Sequence, residues 1–534
     1  MWNETVRFLI PEIILITAAV AIYLAGAWVK SRTLWPSVAS MAIAVAFLAL
    51  WFGQSAKSID SALVGPASSD LLGFYGRAFA LLIGLLFVLM IAKQAEGDLT
   101  PEVIGTLLLL VTGMMLVSAA RDMVLVFLGL EMITIPTYIL LYLARPATTA
   151  DSSGQESAVK YFYLSVLAAA ILLYGLSFLY GATGTTNLPT LRARLSLPDV
   201  AAGSITLARL GLVLVIAGLG FKIAAAPFHF YAPDVYQGTS NPATAILAVA
   251  PKVAGFFILV RVVTLALPGV EDSGWRLAGV MAAVTMTWGN VVALWQDNLR
   301  RLLAYSSIAH AGYMLIGLAM SLSAAGRADT GGFDPVAAVF FYLAIYSLAT
   351  VGFLAGLTYL GQSDREVNNV DELAGLSRTH PLPALAMAVF LFSMAGIPPL
   401  AGFWGKLMLF GSATNVALSG DWASDPQARW SGILAVVGVM NAAIAAAYYL
   451  RIIGIMYFRD PVGRSSANGG RGAAAAMLIA AVLVVGIGCF PGIVRTEASR
   501  ASQSAKAASS ASDVLMVPMG QTSQPATPAL AEVK

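Results

Sequence analysis

The chain has 534 residues, 58% of them hydrophobic and 11% charged, with a formal net charge of +3. Soluble domains carry about 25% charged residues, so this composition, with a mean hydropathy of +0.80, is that of an integral membrane protein. The net charge builds no basic patch for nucleic acid. The single cysteine, Cys489, rules out a disulfide framework or a thiolate cluster, and the absence of GxGxxG, P-loop and HExxH patterns leads us to expect no redox cofactor in this chain.

A spanning helix needs about 20 mostly apolar residues. In chain order, about fourteen segments meet that length, near 8–30, 34–53, 71–93, 101–119, 122–143, 158–180, 206–228, 241–267, 275–296, 301–323, 335–361, 381–411, 430–458 and 472–494. The expected fold is therefore all-α, with about fourteen transmembrane helices. The first segment contains Pro11 and Glu12 and lacks a basic start and a small-residue cleavage site, so it reads as a retained helix rather than a signal peptide. The longest connections are 181–205, 362–380 and 459–471. The tail from 495 to 534 is rich in Ala and Ser with Gln, Thr and Pro, a composition that builds no core and is expected to be disordered.

Loop cations set orientation. Odd-numbered loops hold Lys30, Arg32, Lys93, Arg145, Lys160, Arg300, Arg301, Arg365, Arg378, Arg459, Arg464 and Arg471, and even-numbered loops hold fewer: Lys57, Arg121, Arg192, Arg194, Arg276, Arg327 and Arg429. The bias places odd loops in the cytoplasm and both termini on the outer side.

Four ionisable residues lie inside apolar runs: Glu131, Lys222, Lys252 and Lys406. A charge at the centre of a bilayer helix costs about 2.5–3.5 kcal/mol even on the lenient insertion scale, and such residues usually line an ion pathway. Glu131, in Phe127-Leu-Gly-Leu-Glu-Met-Ile-Thr-Ile-Pro136, is placed to bind a proton or to face a lysine; the competing reading is a packing ion pair, which is poor glue. Lys222 lies one turn before Pro227, which removes a backbone donor and breaks the helix. A Lys–Glu pair that forms and separates can switch the lysine between holding and releasing a proton. His229 and Asp234 follow the break, either at a site of proton uptake or release or as a polar loop end. Lys252 follows Pro251 near the middle of segment eight, and Lys406 follows the interrupted run Gly396-Ile-Pro-Pro-Leu-Ala-Gly-Phe-Trp-Gly405. For all three lysines the alternative is snorkelling of the flexible stem to an interface. His310, in Ala304-Tyr-Ser-Ser-Ile-Ala-His-Ala-Gly-Tyr313, suits a proton relay or an interhelical hydrogen bond, with Ser306, Ser307 and Tyr313 able to hold water beside it. Asp297, Arg300 and Arg301 form a loop cluster, and segment eleven offers only the uncharged polar groups Tyr342, Tyr346, Ser347 and Thr350.

Segments near 206 and 381 are offset by about 175 residues, as are those near 101 and 275, and the first pair each hold a Lys close to proline. A five-helix unit repeated with an odd number of crossings is inverted in the membrane, and transporters place sites on broken helices in matching positions of two such halves.

These features resemble the antiporter-like membrane subunits of respiratory complex I, over roughly residues 1–495. The resemblance is carried by Lys222 to Asp234, Ala304 to Gly312, Gly396 to Lys406 and the opening Phe8-Leu-Ile-Pro-Glu-Ile-Ile-Leu15. It implies two inverted five-helix repeats, helices 4–8 and 9–13, with helices 7 and 12 broken. The domains would be a three-helix segment at 1–100, half-repeats at 101–267 and 275–458, a last helix at 472–494 and the tail at 495–534. It also implies a bacterial inner-membrane translocase subunit of an NADH:quinone oxidoreductase. Protons would pass along Glu131, Lys222, Lys252, His310, Lys406 and water, driven by quinone reduction elsewhere. NADH, FMN, iron–sulfur clusters and quinone would belong to partner subunits, with M-like and K-like membrane-arm neighbours beside this chain. The alternatives are a subunit of a multi-protein sodium/proton antiporter, a stand-alone secondary transporter, which would need a midplane solute pocket, and a structural scaffold with dispensable charges.

Overall fold

Backbone amides inside a bilayer have no water to bond, so long apolar runs close their hydrogen bonds within helices. The computed structural model describes residues 2–55, 65–93, 99–143, 153–197, 201–264, 271–323, 333–361, 366–461 and 467–515, and among them there is no β-strand. Lys57, Arg145, Arg327, Arg365 and Arg464 of the orientation argument lie outside these residues, as does the tail from 516.

The principal helices are α1 (Ile10–Gly26), α2 (Leu34–Ser55), α3 (Leu71–Ile91), α4 (Thr100–Ala119), α5 (Met123–Leu143), α6 (Ser153–Thr183), α7 (Ala202–Lys222) and α8 (Asn241–Ile258). They continue with α9 (Glu271–Ala293), α10 (Leu299–Ser323), α11 (Pro335–Leu360), α12 (Pro381–Ala395), α13 (Ala401–Ser419), α14 (Pro426–Phe458), α15 (Arg471–Cys489) and α16 (Pro491–Leu515). Among the described residues, eleven helices are long and apolar enough to cross a membrane. The segments expected near 8–30, 275–296 and 381–411 are helical but fall outside that eleven, the last because it is split into α12 and α13.

Starts are fixed by side chains that take up free backbone amides. Asp70 accepts from Gly73 N at the start of α3 (2.7 Å), Ser240 caps α8, and Asp334 accepts from Val336 N and Ala337 N at the start of α11 (2.9 and 3.1 Å). Glycines let neighbours approach closely: a Cβ at Gly113 of α4 would meet the carbonyl oxygen of Gly129 on α5 at 2.9 Å. Helices α4, α8, α10 and α11 are almost wholly buried, whereas α2, α6, α14 and α15 turn much of their surface outward. The central four carry Lys252, His310 and the segment-eleven tyrosines.

Two interruptions fall in this core. Helix α7 ends at Lys222; Ala224 takes a positive φ of 55°, and helix resumes only at Ala232–Gln237. The Ala226 amide released by the break is taken by Thr285 Oγ1 of α9 at 3.0 Å. Helix α12 ends at Gly396, which has φ 89°, and Pro398 and Pro399 precede α13. Two features escaped the sequence pattern. The end of segment eight widens into a π-helix, Leu259–Thr264. The tail, expected to be disordered from 495, is instead helical to Leu515 as α16. A chain too polar to build a core can still line one: Ala501, Ser502 and Ala505 are buried, and Ser504 Oγ accepts from Leu71 N at 3.1 Å.

Candidate functional site

Three buried lysines mark the site, and each rests on a neutral acceptor. Lys222, the last residue of α7, donates from Nζ to Thr134 Oγ1 of α5 at 2.7 Å. Thr134 lies three residues beyond Glu131, on the same helix face. No ion pair joins Glu131 to Lys222, and Glu131 Oε1 is buried without a hydrogen-bond partner. Glu131 still lies within electrostatic range of Lys222.

Lys252 is enclosed on α8; its Nζ reaches the Tyr236 hydroxyl at 3.4 Å. A line of hydroxyls continues from there: Tyr236 OH to Ser307 Oγ at 3.4 Å, and Ser307 Oγ to Tyr346 OH at 2.6 Å. His310 lies beside this line, its ring 5.1 Å from that of Tyr346. Its Nδ1 shares a hydrogen bond with Tyr342 OH at 2.7 Å and its Nε2 with Tyr449 OH at 2.9 Å; Tyr449 OH is bonded in turn to Ser306 Oγ. A neutral imidazole has one donor and one acceptor nitrogen. One tyrosine therefore donates to the ring and the other accepts; a proton can cross the ring without net charge on it only if the donating hydroxyl is refilled by a neighbour, as Ser306 could do for Tyr449, and the accepting hydroxyl passes its own proton on. Both Lys252 and Lys406 lie within electrostatic range of His310.

Lys406, on α13, donates from Nζ to the carbonyl of Ala395, the last residue of α12, at 2.9 Å. Its ammonium also stands 5.1 Å above the Tyr313 ring, an attractive geometry for a cation. Both lysines stand by a broken helix, but differently: Lys406 reaches the carbonyl end of α12, where the helix dipole favours positive charge, whereas Lys222 is itself the last residue of α7 and reaches across to α5.

Other buried charges behave differently. Arg77 grips both oxygens of Glu12 (2.7 and 2.5 Å) and the Phe8 carbonyl. Arg261 does the same to Asp70 (2.9 and 2.8 Å) and to the Ser118 carbonyl, and Arg300 pairs with Glu366. These are neutralised pairs; the three lysines have no carboxylate at ion-pair distance among the described residues.

His229 is half-buried, its ring edge-on to Trp288 at 5.9 Å and its Nδ1 buried without a partner. Asp234 is drawn into a surface cluster with Arg301 at 2.8 Å and Lys160 at 3.9 Å, and Asp297 lies 3.5 Å from Arg451. Thr134, Tyr236 and Tyr449, which link the flagged residues, were not singled out by the sequence. The usable signals were the i, i+3 spacing of Thr134 from Glu131 and the Tyr448–Tyr449 pair within an apolar run.

Residues 120–421 match the family described as NADH:quinone oxidoreductase/Mrp antiporter, TM. The chain is 36% identical over 460 residues to NADH-quinone oxidoreductase subunit N of Rhodospirillum rubrum, covering 84% of this chain and 87% of that one. With the subunit of the same name from Anaeromyxobacter sp. it shares 38% over 460 residues, covering 82% and 84%. Among solved structures, a chain of respiratory complex I from Thermus thermophilus matches with a TM-score of 0.73 at 33% identity, over 91% of this chain and 98% of that one. A chain of the Mrp complex from Dietzia sp. gives a TM-score of 0.80 at 21% identity, over 96% and 100%. The last match is one of fold alone; the higher identities lie with the oxidoreductase chains.

Proposed function

The chain belongs to the NADH:quinone oxidoreductase/Mrp antiporter family, and from that premise we infer that it is a proton-translocating membrane subunit of an NADH:quinone oxidoreductase. Within it, Glu131 tunes Lys222, and the proton passes by Lys252, the hydroxyl groups around His310 and ordered water to Lys406. One observation carries this reading: the lysines on the flagged row sit on neutral acceptors, while other deeply buried cations are locked in carboxylate pairs. A pumping site needs cations that can lose a proton or shift partner; a scaffold needs the opposite.

Quinone reduction in partner subunits supplies the energy, with NADH, FMN, iron–sulfur clusters and quinone held there and M-like and K-like membrane subunits as neighbours. The chain is organised as fourteen spans in a multi-pass bacterial inner-membrane protein. Helices 4–8 (101–267) and 9–13 (275–458) form two inverted half-repeats, preceded by a three-helix segment at 1–100 and followed by a last helix at 472–494. Both termini lie on the outer side. His229, half-buried and a few residues before Asp234, would serve proton entry or exit. Sequence identity favours the oxidoreductase over a sodium/proton antiporter subunit.

The test is Lys222→Met in the intact complex reconstituted in vesicles. Proton pumping is expected to fall steeply while the complex still assembles; full pumping would overturn the relay.

A further inference from the structure

Lys222 and Glu131 stand apart, and what occupies the lysine is a hydroxyl. Its Nζ donates to Thr134 Oγ1 at 2.7 Å, both residues being buried. The Thr134 hydroxyl hydrogen is already committed, donated to the carbonyl of Leu130 at 2.8 Å. Thr134 therefore presents a lone pair and no hydrogen to the lysine. It can accept an N–H from the amine in either charge state, and it adds no charge of its own. Glu131, one turn away on the same face of α5, meanwhile leaves Oε1 buried and unbonded. A buried carboxylate oxygen is costly to leave unbonded, and this one is open as an acceptor for the lysine. The flexible lysine stem can cover the few ångströms between the two acceptors. On the far side, α8 closes the space: a Cβ at Gly255 would stand 3.7 Å from Lys222 Cβ.

We propose that Thr134 is a positioning residue: it holds Lys222 in the position parted from Glu131, so that α5 offers the lysine two alternative seats one helical turn apart. The proposal rests on the relay reading above and adds to it the seat that the parted lysine takes. The seat is neutral, so moving the ammonium into it from contact with the carboxylate weakens that attraction and prepares the lysine to release its proton. Lys252 on the Tyr236 hydroxyl and Lys406 on the Ala395 carbonyl have seats of the same neutral kind.

Thr134→Val keeps the shape and removes the acceptor; Thr134→Ser keeps the acceptor and removes the methyl group. A hydrogen bond to a charged group is strong enough that losing it shifts the balance between the two seats on the order of tenfold or more. In the whole complex in vesicles, we expect Thr134→Val to lower protons moved per electron pair toward the value for Lys222→Met, with assembled complex unchanged and Thr134→Ser restoring the ratio. Normal pumping by Thr134→Val beside a defective Lys222→Met would overturn the seat and leave the relay standing. Equal losses in the Val and Ser variants would show that the position tolerates no change of shape whether or not the acceptor is kept, and would also overturn it. Normal pumping by both Lys222→Met and Thr134→Val would overturn the relay itself.

Discussion

Arg261 donates to both oxygens of Asp70 and to the carbonyl of Ser118, whereas Lys252 reaches a single tyrosine hydroxyl at 3.4 Å. The two arrangements predict opposite phenotypes. Removing one member of a buried, fully bonded pair strands the other charge and costs about 3–5 kcal/mol. Arg261→Ala is thus expected to lower the yield and melting temperature of the complex, measured by thermal denaturation in detergent, because Asp70 would remain buried at the start of α3. Lys406→Ala strands no carboxylate. It is expected to leave assembly intact and to impair proton release to the outside, read from pumping in vesicles; unimpaired pumping would mean that the row ends elsewhere. The sequence revealed the lysines, Glu131 and His310 because an ionisable group in an apolar run is an anomaly that needs no structure to notice. It hid Thr134, Tyr236 and Tyr449 because hydroxyl residues are ordinary in such helices. Their role comes from distance in space: Thr134 and Lys222 are 88 positions apart in the chain.

At the level of elements, the interruptions matter more than the helices. Proline and glycine announced both breaks in the sequence, and the structure adds how the freed backbone is met: Thr285 Oγ1 takes the Ala226 amide, Ser393 Oγ takes the Gly402 amide at 3.1 Å, and Lys406 takes the Ala395 carbonyl. A Cβ at Gly402 would overlap the Ser393 carbonyl oxygen. Gly402→Ala is therefore expected to force α13 away from α12 and pull Lys406 off its acceptor. Pumping should fall, although the substitution adds only a methyl group and touches no ionisable side chain. Wild-type pumping in this variant would show that the close crossing of α12 and α13 has no part in placing Lys406. The π-helix at Leu259–Thr264 and helix α16 were not legible beforehand. The first carries Arg261, whose partner Asp70 lies 191 positions away, and the second packs on a surface that only the folded bundle provides. Lys506 and Ser502 of α16 both bond Asp334, the cap of α11, and Ser504 takes the Leu71 amide of α3, so a segment with little apolar content is held by polar contacts to two helix starts.

At the scale of the whole molecule, charged residues from several connections meet in exposed pairs. On one face Asp234 meets Arg301, Asp297 meets Arg451, Asp371 meets Arg459 and Asp460 meets Arg378, joining the connections after segments seven, nine, eleven and thirteen. Exposed pairs of this kind contribute only about 0–1 kcal/mol each, so they identify a face rather than hold it together. The orientation proposed above, with both termini on the outer side, would make this the cytoplasmic face. The fold cannot decide this alone, since an Mrp chain of 21% identity shares it. Exposed positions on opposite faces can: Ser424 lies between α13 and α14, and Asp460 lies beyond α14. With Cys489 replaced by Ala, a membrane-impermeant maleimide is expected to label Ser424→Cys in right-side-out spheroplasts and Asp460→Cys only in inverted vesicles. The reverse pattern would turn the molecule over and would move His229 to the outer side. Release beyond Lys406 would then face the cytoplasm, contrary to the direction in which the complex must pump.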